Sequence, residues 1–115
     1  MPKGWIPTRF EKAKLKEIEE QLKKVGFMLP GSLAVRSYAC GKQNCSCHES
    51  EDRLHGPYIQ WTRKVNGKTV HRRLSEEQLD DYAKYFDEAK RIRRLIDELE
   101  EVTLGIVERD NRWLR

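Results

Sequence analysis

No stretch of this 115-residue chain comes near the roughly 20 consecutive apolar residues that a membrane span requires. Its start, Met1-Pro2-Lys3-Gly4-Trp5, also lacks the apolar run of a signal peptide. The expectation is a cytoplasmic protein with no membrane partner. Apolar residues are scarce, at 37%, and charged residues are as numerous, at 37%, so the core must be thin and much of the chain is solvated helix surface. Internal repeats, low-complexity tracts and linkers are missing too. At this length a single domain, 1–115, is expected, with no room for a separate catalytic module. A metal staple would help so thin a core.

Cysteine is rare and odd in number: Cys40, Cys45 and Cys47 crowd into eight positions and cannot all pair with one another. A reducing cytosol would not keep disulfides in any case, so metal ligation accounts for them more simply than pairing does. Acidic residues vanish between Pro57 and Leu74, where Arg63, Lys64, Lys68, Arg72 and Arg73 stand. Those five cations exceed the net charge of +4, so the rest of the chain is slightly acidic. Proline and glycine are absent from Ser75 until Gly105. A helix starting there can be very long.

Thr8 followed by Glu11 has the form of a capping box, and Phe10, Ala13, Ile18, Leu22 and Val25 recur at helical spacing. This predicts a helix over 9–25, closed by a left-handed cap at Gly26. After the turn Met28-Leu29-Pro30-Gly31-Ser32, the run Leu33 to Cys40 alternates like a strand. Residues 41–56 have no periodicity and read as a metal loop. Asn66-Gly67 marks a two-residue hairpin turn between strands 58–65 and 68–74, because both central positions of a type I′ turn need positive φ. In that register Ile59, Trp61, Arg63 and Val65 share a face with Lys68, Val70, Arg72 and Leu74. Tyr58, Gln60, Thr62, Lys64, Thr69, His71 and Arg73 form the opposite, outward face.

Ser75 and Gln78 make a second capping box, with Glu76 and Glu77 complementing the helix dipole. Beyond it Tyr82, Tyr85, Ala89, Ile92, Ile96, Leu99, Thr103 and Ile106 fall at alternating three- and four-residue steps, and Leu79, Phe86, Leu95 and Val102 widen the stripe. At ~1.5 Å per residue this helix overshoots a sheet of short strands, which implies a homodimer through 76–108. The fold class is α+β: an N-terminal helix over 9–25, a small three-stranded antiparallel sheet with a zinc loop within 33–74, and a long C-terminal helix over 76–108.

Zinc takes four tetrahedral ligands from Cys and His, and Cys40-x4-Cys45-x-Cys47 supplies three. His48 or His55 completes the set. His55 is favoured, since neighbours such as Cys47 and His48 project in different directions, whereas His55 stands where Gly56-Pro57 turns the chain into the hairpin. The plain alternative is three free thiols. Glu49, Glu51 and Asp52 lie near enough to serve an open catalytic zinc as general base, yet an acidic mobile loop explains them as well. No His-Glu-x-x-His element accompanies them, so no enzyme chemistry is expected.

Leu29-Pro30-Gly31-Ser32-Leu33, Cys40-Gly41-Lys42-Gln43-Asn44-Cys45-Ser46-Cys47, His55-Gly56-Pro57-Tyr58 and Asn66-Gly67-Lys68 together resemble a domain of unknown function in small bacterial and archaeal proteins. The resemblance spans Leu29 to Leu104 and leaves the first helix largely outside. It implies a shared fold, not an activity, and the histidine of its HGPY motif supports His55 as the fourth ligand.

A two-stranded ribbon enters the major groove of DNA, reading base edges with Gln, Thr, His or Arg and gripping phosphates with Lys and Arg. The expected reading face is Gln60, Thr62, Lys64, Thr69, His71 and Arg73, with Arg63, Lys68 and Arg72 reaching phosphates from the rim. DNA stands ahead of RNA as partner. Basic exposed hairpins also arise simply to block edge pairing. The leading expectation is a zinc-stabilised nucleic-acid-binding protein of regulatory or accessory type. Its rival is an adaptor that docks onto a protein through the long helix.

Overall fold

The computed structural model describes residues 1–114. The architecture is α+β, in the order α1 (Arg9–Leu22), β1 (Ser32–Tyr38), two short 3-10 turns (Ser46–His48 and Glu51–Arg53), β2 (His55–Val65), β3 (Lys68–Leu74) and α2 (Glu76–Glu108). The contacts divide the chain into two compact units. Met1–Met28 and the stretch from Tyr85 onward form the helical unit, and Leu29–Lys84 form the sheet unit.

In the helical unit, α1 starts where its cap dictates. Thr8 Oγ1 accepts from the Glu11 N–H at 3.1 Å, and the Glu11 carboxylate accepts from the Thr8 N–H at 2.8 Å. The end differs from the sequence expectation. The helix stops at Leu22 with Lys23 as a right-handed cap, and Gly26 has no positive φ. Side chains from α2 do the terminating instead: Arg91 Nη1 donates to the Gln21 carbonyl at 3.2 Å, and the Gly26 N–H donates to Glu88 at 2.7 Å. A cationic side chain on the last carbonyls satisfies a helix end as a glycine turn would.

The buried cluster is Ile18, Ile92 and Leu95, with Leu22 and Leu99 packed around it. Three residues expected on the inner face of α1 lie outside it: Phe10 at 78% exposure, Val25 at 51%, and Ala13, which is exposed as well. On α2, Phe86, Ala89, Ile92, Leu95 and Ile106 are buried, as the stripe predicts, while Ile96 is exposed.

Glu11 also pairs with Arg109. That guanidinium, followed by the Thr8 backbone, holds the Glu11 carboxyl at about 2 instead of 4.5. A depressed carboxyl stabilises the fold fully above its unfolded value and loses that contribution as the pH falls through the folded one. The melting temperature of the protein should therefore drop between pH 4.5 and 2. In Glu11→Gln part of this drop should vanish; an unchanged acid profile in that variant would remove the pair from the account.

In the sheet unit the strand order is β1-β2-β3, all antiparallel. The hairpin register is the expected one, with Val65 opposite Lys68, Arg63 opposite Val70 and Ile59 opposite Leu74. Asn66 and Gly67 take φ of 52° and 81°, as a type I′ turn requires. The face expected to turn inward is only partly covered, since Val35 is 72% and Val65 43% exposed. Among the described residues, the buried apolar side chains of this unit are Cys47 and Leu74 alone. A sheet with so little buried surface needs another source of stability.

Candidate metal centre

The two strands that end at the site bring the ligating groups together. Tyr38, at the end of β1, pairs with His55, at the start of β2, after a bulge between Arg36 and Tyr38. His55 is thus part of a strand, which starts three residues earlier than the 58–65 expected from the sequence pattern. Gly56 follows with φ of 115°, and a Cβ there would stand 2.8 Å from the Arg36 carbonyl. Glycine is therefore required for β1 and β2 to approach at the bulge. The intervening loop folds through the 3-10 turn Ser46–His48, which turns Cys47 inward to 2% exposure.

The sulfurs of Cys40, Cys45 and Cys47 and a ring nitrogen of His55 all lie within 4.8 Å of one another. Cys47 Sγ and Cys40 Sγ are 3.6 Å apart, and Cys45 Sγ and His55 Nε2 3.4 Å. A tetrahedral ion with bonds of about 2.3 Å to sulfur and about 2.0 Å to nitrogen places its ligand atoms about 3.5–3.8 Å apart. The closest pairs already have that spacing, so the four side chains could hold a metal ion.

The surroundings favour anionic sulfur. The Cys40 N–H donates to Cys47 Sγ at 3.3 Å, the kind of backbone support that orients a thiolate. The Cys47 backbone, then the Cys47, Cys40 and His55 side chains, lower the Cys45 thiol from 9.0 to about 6. Burial pushes the Cys47 thiol the other way.

His48 is turned away from this cluster. It is exposed, and its Nε2 lies 2.8 Å from the Lys42 carbonyl. Glu49 pairs with Arg53 on the same loop.

The residues expected to meet nucleic acid divide by strand alternation. Gln60, Thr62, Lys64, Thr69, His71 and Arg73 share one face, where Thr62 and His71 hydrogen-bond at 2.9 Å. Arg63, Lys68 and Arg72 lie on the other. Arg63 stacks over Trp61 at 4.2 Å, and its Nη1 is buried with no hydrogen-bond partner among the described residues. Pairing of β1 with β2 adds Arg36 to the first face, opposite Tyr58. The sequence gives no warning of Arg36, because nothing local says which strand β1 will join.

Comparison with known proteins gives a family match. Residues 10–84 match the family model described as a domain of unknown function (DUF6788). The match takes in most of α1, which the motif resemblance left outside, and stops at residue 84 instead of Leu104. No curated protein and no solved structure matches.

Proposed function

We propose, for a chain that belongs to the DUF6788 family, that Cys40, Cys45, Cys47 and His55 hold one zinc ion as a structural staple and that the basic hairpin beside it binds nucleic acid. The donor set carries the first half. Three sulfurs and an imidazole are soft and borderline ligands, for which zinc is the common ion. Four protein ligands leave no position for a reacting water, so the reading is of a binding protein and not of a hydrolase.

The second half rests on one observation. In the hairpin register Gln60, Thr62, Lys64, Thr69, His71 and Arg73 align on a single face, within a segment that has no carboxylate to neutralise it. Cations placed this way displace counterions from a phosphate backbone, and affinity then falls with salt.

A gel-shift series over salt concentration, with duplex DNA, single strands and structured RNA, tests the reading. Lys64 and Lys68 are exposed and make no ion pair among the described residues, so neutral variants should leave the fold intact. If both contact phosphates, Lys64→Gln and Lys68→Gln should each lower the slope of log affinity against log salt by about 0.9 on duplex or about 0.7 on a single strand. Absence of binding by the wild type at low salt would overturn it.

The rival reading, an adaptor acting through 76–108, and the homodimer expected through the same helix both have limited apolar surface to use. The intramolecular cluster takes Ile92, Leu95 and Leu99, leaving Ile96 at 43% and Leu104 at 60% exposure. A mass of one chain in light scattering would remove the dimer.

A further inference from the structure

The sheet face that carries Gln60 and His71 is concave. Arg36, Tyr38, Tyr58, Gln60, His71 and Arg73, with Arg72 at its edge from the next register position, line a cleft of about 230 Å³. Pockets for drug-sized ligands run to about 300–1,000 Å³, so this one is sized for a single small unit.

Its chemistry is aromatic and cationic together. The Tyr38 and Tyr58 rings stand 5.5 Å apart, tilted by 41°. The Arg73 guanidinium lies over Tyr58 at 3.9 Å and donates to the Tyr38 hydroxyl. That hydrogen bond uses one of the five N–H donors a guanidinium carries, and the tyrosines hold its plane fixed. Among the described residues neither Arg36 nor Arg73 pairs with a carboxylate, and no Asp or Glu lines the cleft.

Two guanidiniums without counter-charge suit a phosphate, to which Arg binds by paired N–H donors. Tyrosine and guanidinium planes suit a nucleobase stacked upon them, and an amide and an imidazole beside them can hydrogen-bond a base edge. A base inside a duplex has both faces covered by its neighbours. An unpaired base has a free face.

From this juxtaposition we infer that the nucleic acid is single-stranded and that the cleft seats one unpaired nucleotide, its phosphate toward Arg36 and Arg73 and its base on the tyrosine–arginine surface. The inference rests on the nucleic-acid reading of this face and names the form of nucleic acid. It replaces the insertion of the hairpin into a duplex groove.

The test is fluorescence anisotropy of the metal-loaded full chain with a labelled single strand and with the same sequence as a duplex. A second single strand carries 2-aminopurine, whose emission is quenched on stacking. The single strand should bind more tightly than the duplex, with quenching of 2-aminopurine. Base stacking on an aromatic side chain contributes about 5- to 150-fold in affinity, and Tyr58→Leu should lose that much while Tyr58→Phe retains it. Arg36→Gln, at an exposed strand position, should weaken binding without affecting the fold, and a nucleoside monophosphate should compete where inorganic phosphate competes poorly.

Equal affinity for both forms, with Tyr58→Leu unchanged, would overturn the cleft and leave the hairpin reading in place. Failure of every oligonucleotide, with the monophosphate still bound in a Tyr58-dependent way, would overturn the nucleic-acid reading and keep the nucleotide cleft. Failure of oligonucleotide and monophosphate alike would overturn both.

Discussion

Removing metal from the purified protein with a chelator should unfold the sheet unit, with loss of dispersed amide signals from Trp61 and Val70. Those two residues sit on strands whose only buried apolar companions among the described residues of the unit are Leu74 and Cys47, and Cys47 is itself one of the proposed ligands. Structural zinc contributes about 10–16 kcal/mol to the folding of small zinc-finger peptides, comparable with or above the whole stability of a typical domain. Elemental analysis should find one zinc per chain, and Cys47→Ser should reproduce the effect of chelation.

The same experiment separates the two histidines. His55→Ala opens the coordination shell and should destabilise the sheet unit severely. His48→Ala removes one exposed contact to the Lys42 carbonyl and should change stability little. Equal losses from the two variants would remove His55 as the fourth ligand. An unchanged spectrum after complete metal removal would remove the staple.

Ile18→Ala should cost the helical unit about 2–5 kcal/mol, the usual range for truncating a buried isoleucine. Ile18 is 1% exposed and is the buried residue of α1 on which Ile92 and Leu95 close. Its methyl groups have no substitute, because the neighbouring Leu22 and Leu99 are already packed at the margin of the same small cluster. Phe10→Ala, by contrast, removes a larger side chain that is 78% exposed, and should fall within about 0.5 kcal/mol of wild type. Urea unfolding monitored by helical ellipticity reads both. A Phe10→Ala loss as large as that of Ile18→Ala would mean that α1 buries a different face.

How much could be read in advance depends on how local each determinant is. The two capping boxes need only a hydroxyl and a carboxylate or amide three residues apart, and both form. The hairpin follows from a pair of residues tolerant of positive φ, and its register follows from the loop length. The end of α1 was not legible. Glu88 and Arg91, more than sixty positions away, supply the groups that finish it. Amphipathic spacing named Phe10 and Val25 as core, since periodicity marks a stripe without saying how wide a strip its partner covers.

By itself, then, the sequence determined the elements, the hairpin register and the three cysteines as one constellation, because spacing along the chain is enough to constrain caps, turns and a ligand loop. Tertiary structure decided the rest, including the placement that brings the favoured His55 to the cysteines. Pairing of β1 with β2 sets His55 beside Cys45 and leaves His48 on a loop carbonyl. The same pairing carries Arg36 and Tyr38 onto the face of Tyr58 and Arg73, where strands far apart in sequence make a cleft. Strand partnership is a long-range choice, governed by which faces can be covered and where a bulge and a glycine allow close approach, and no local pattern encodes it.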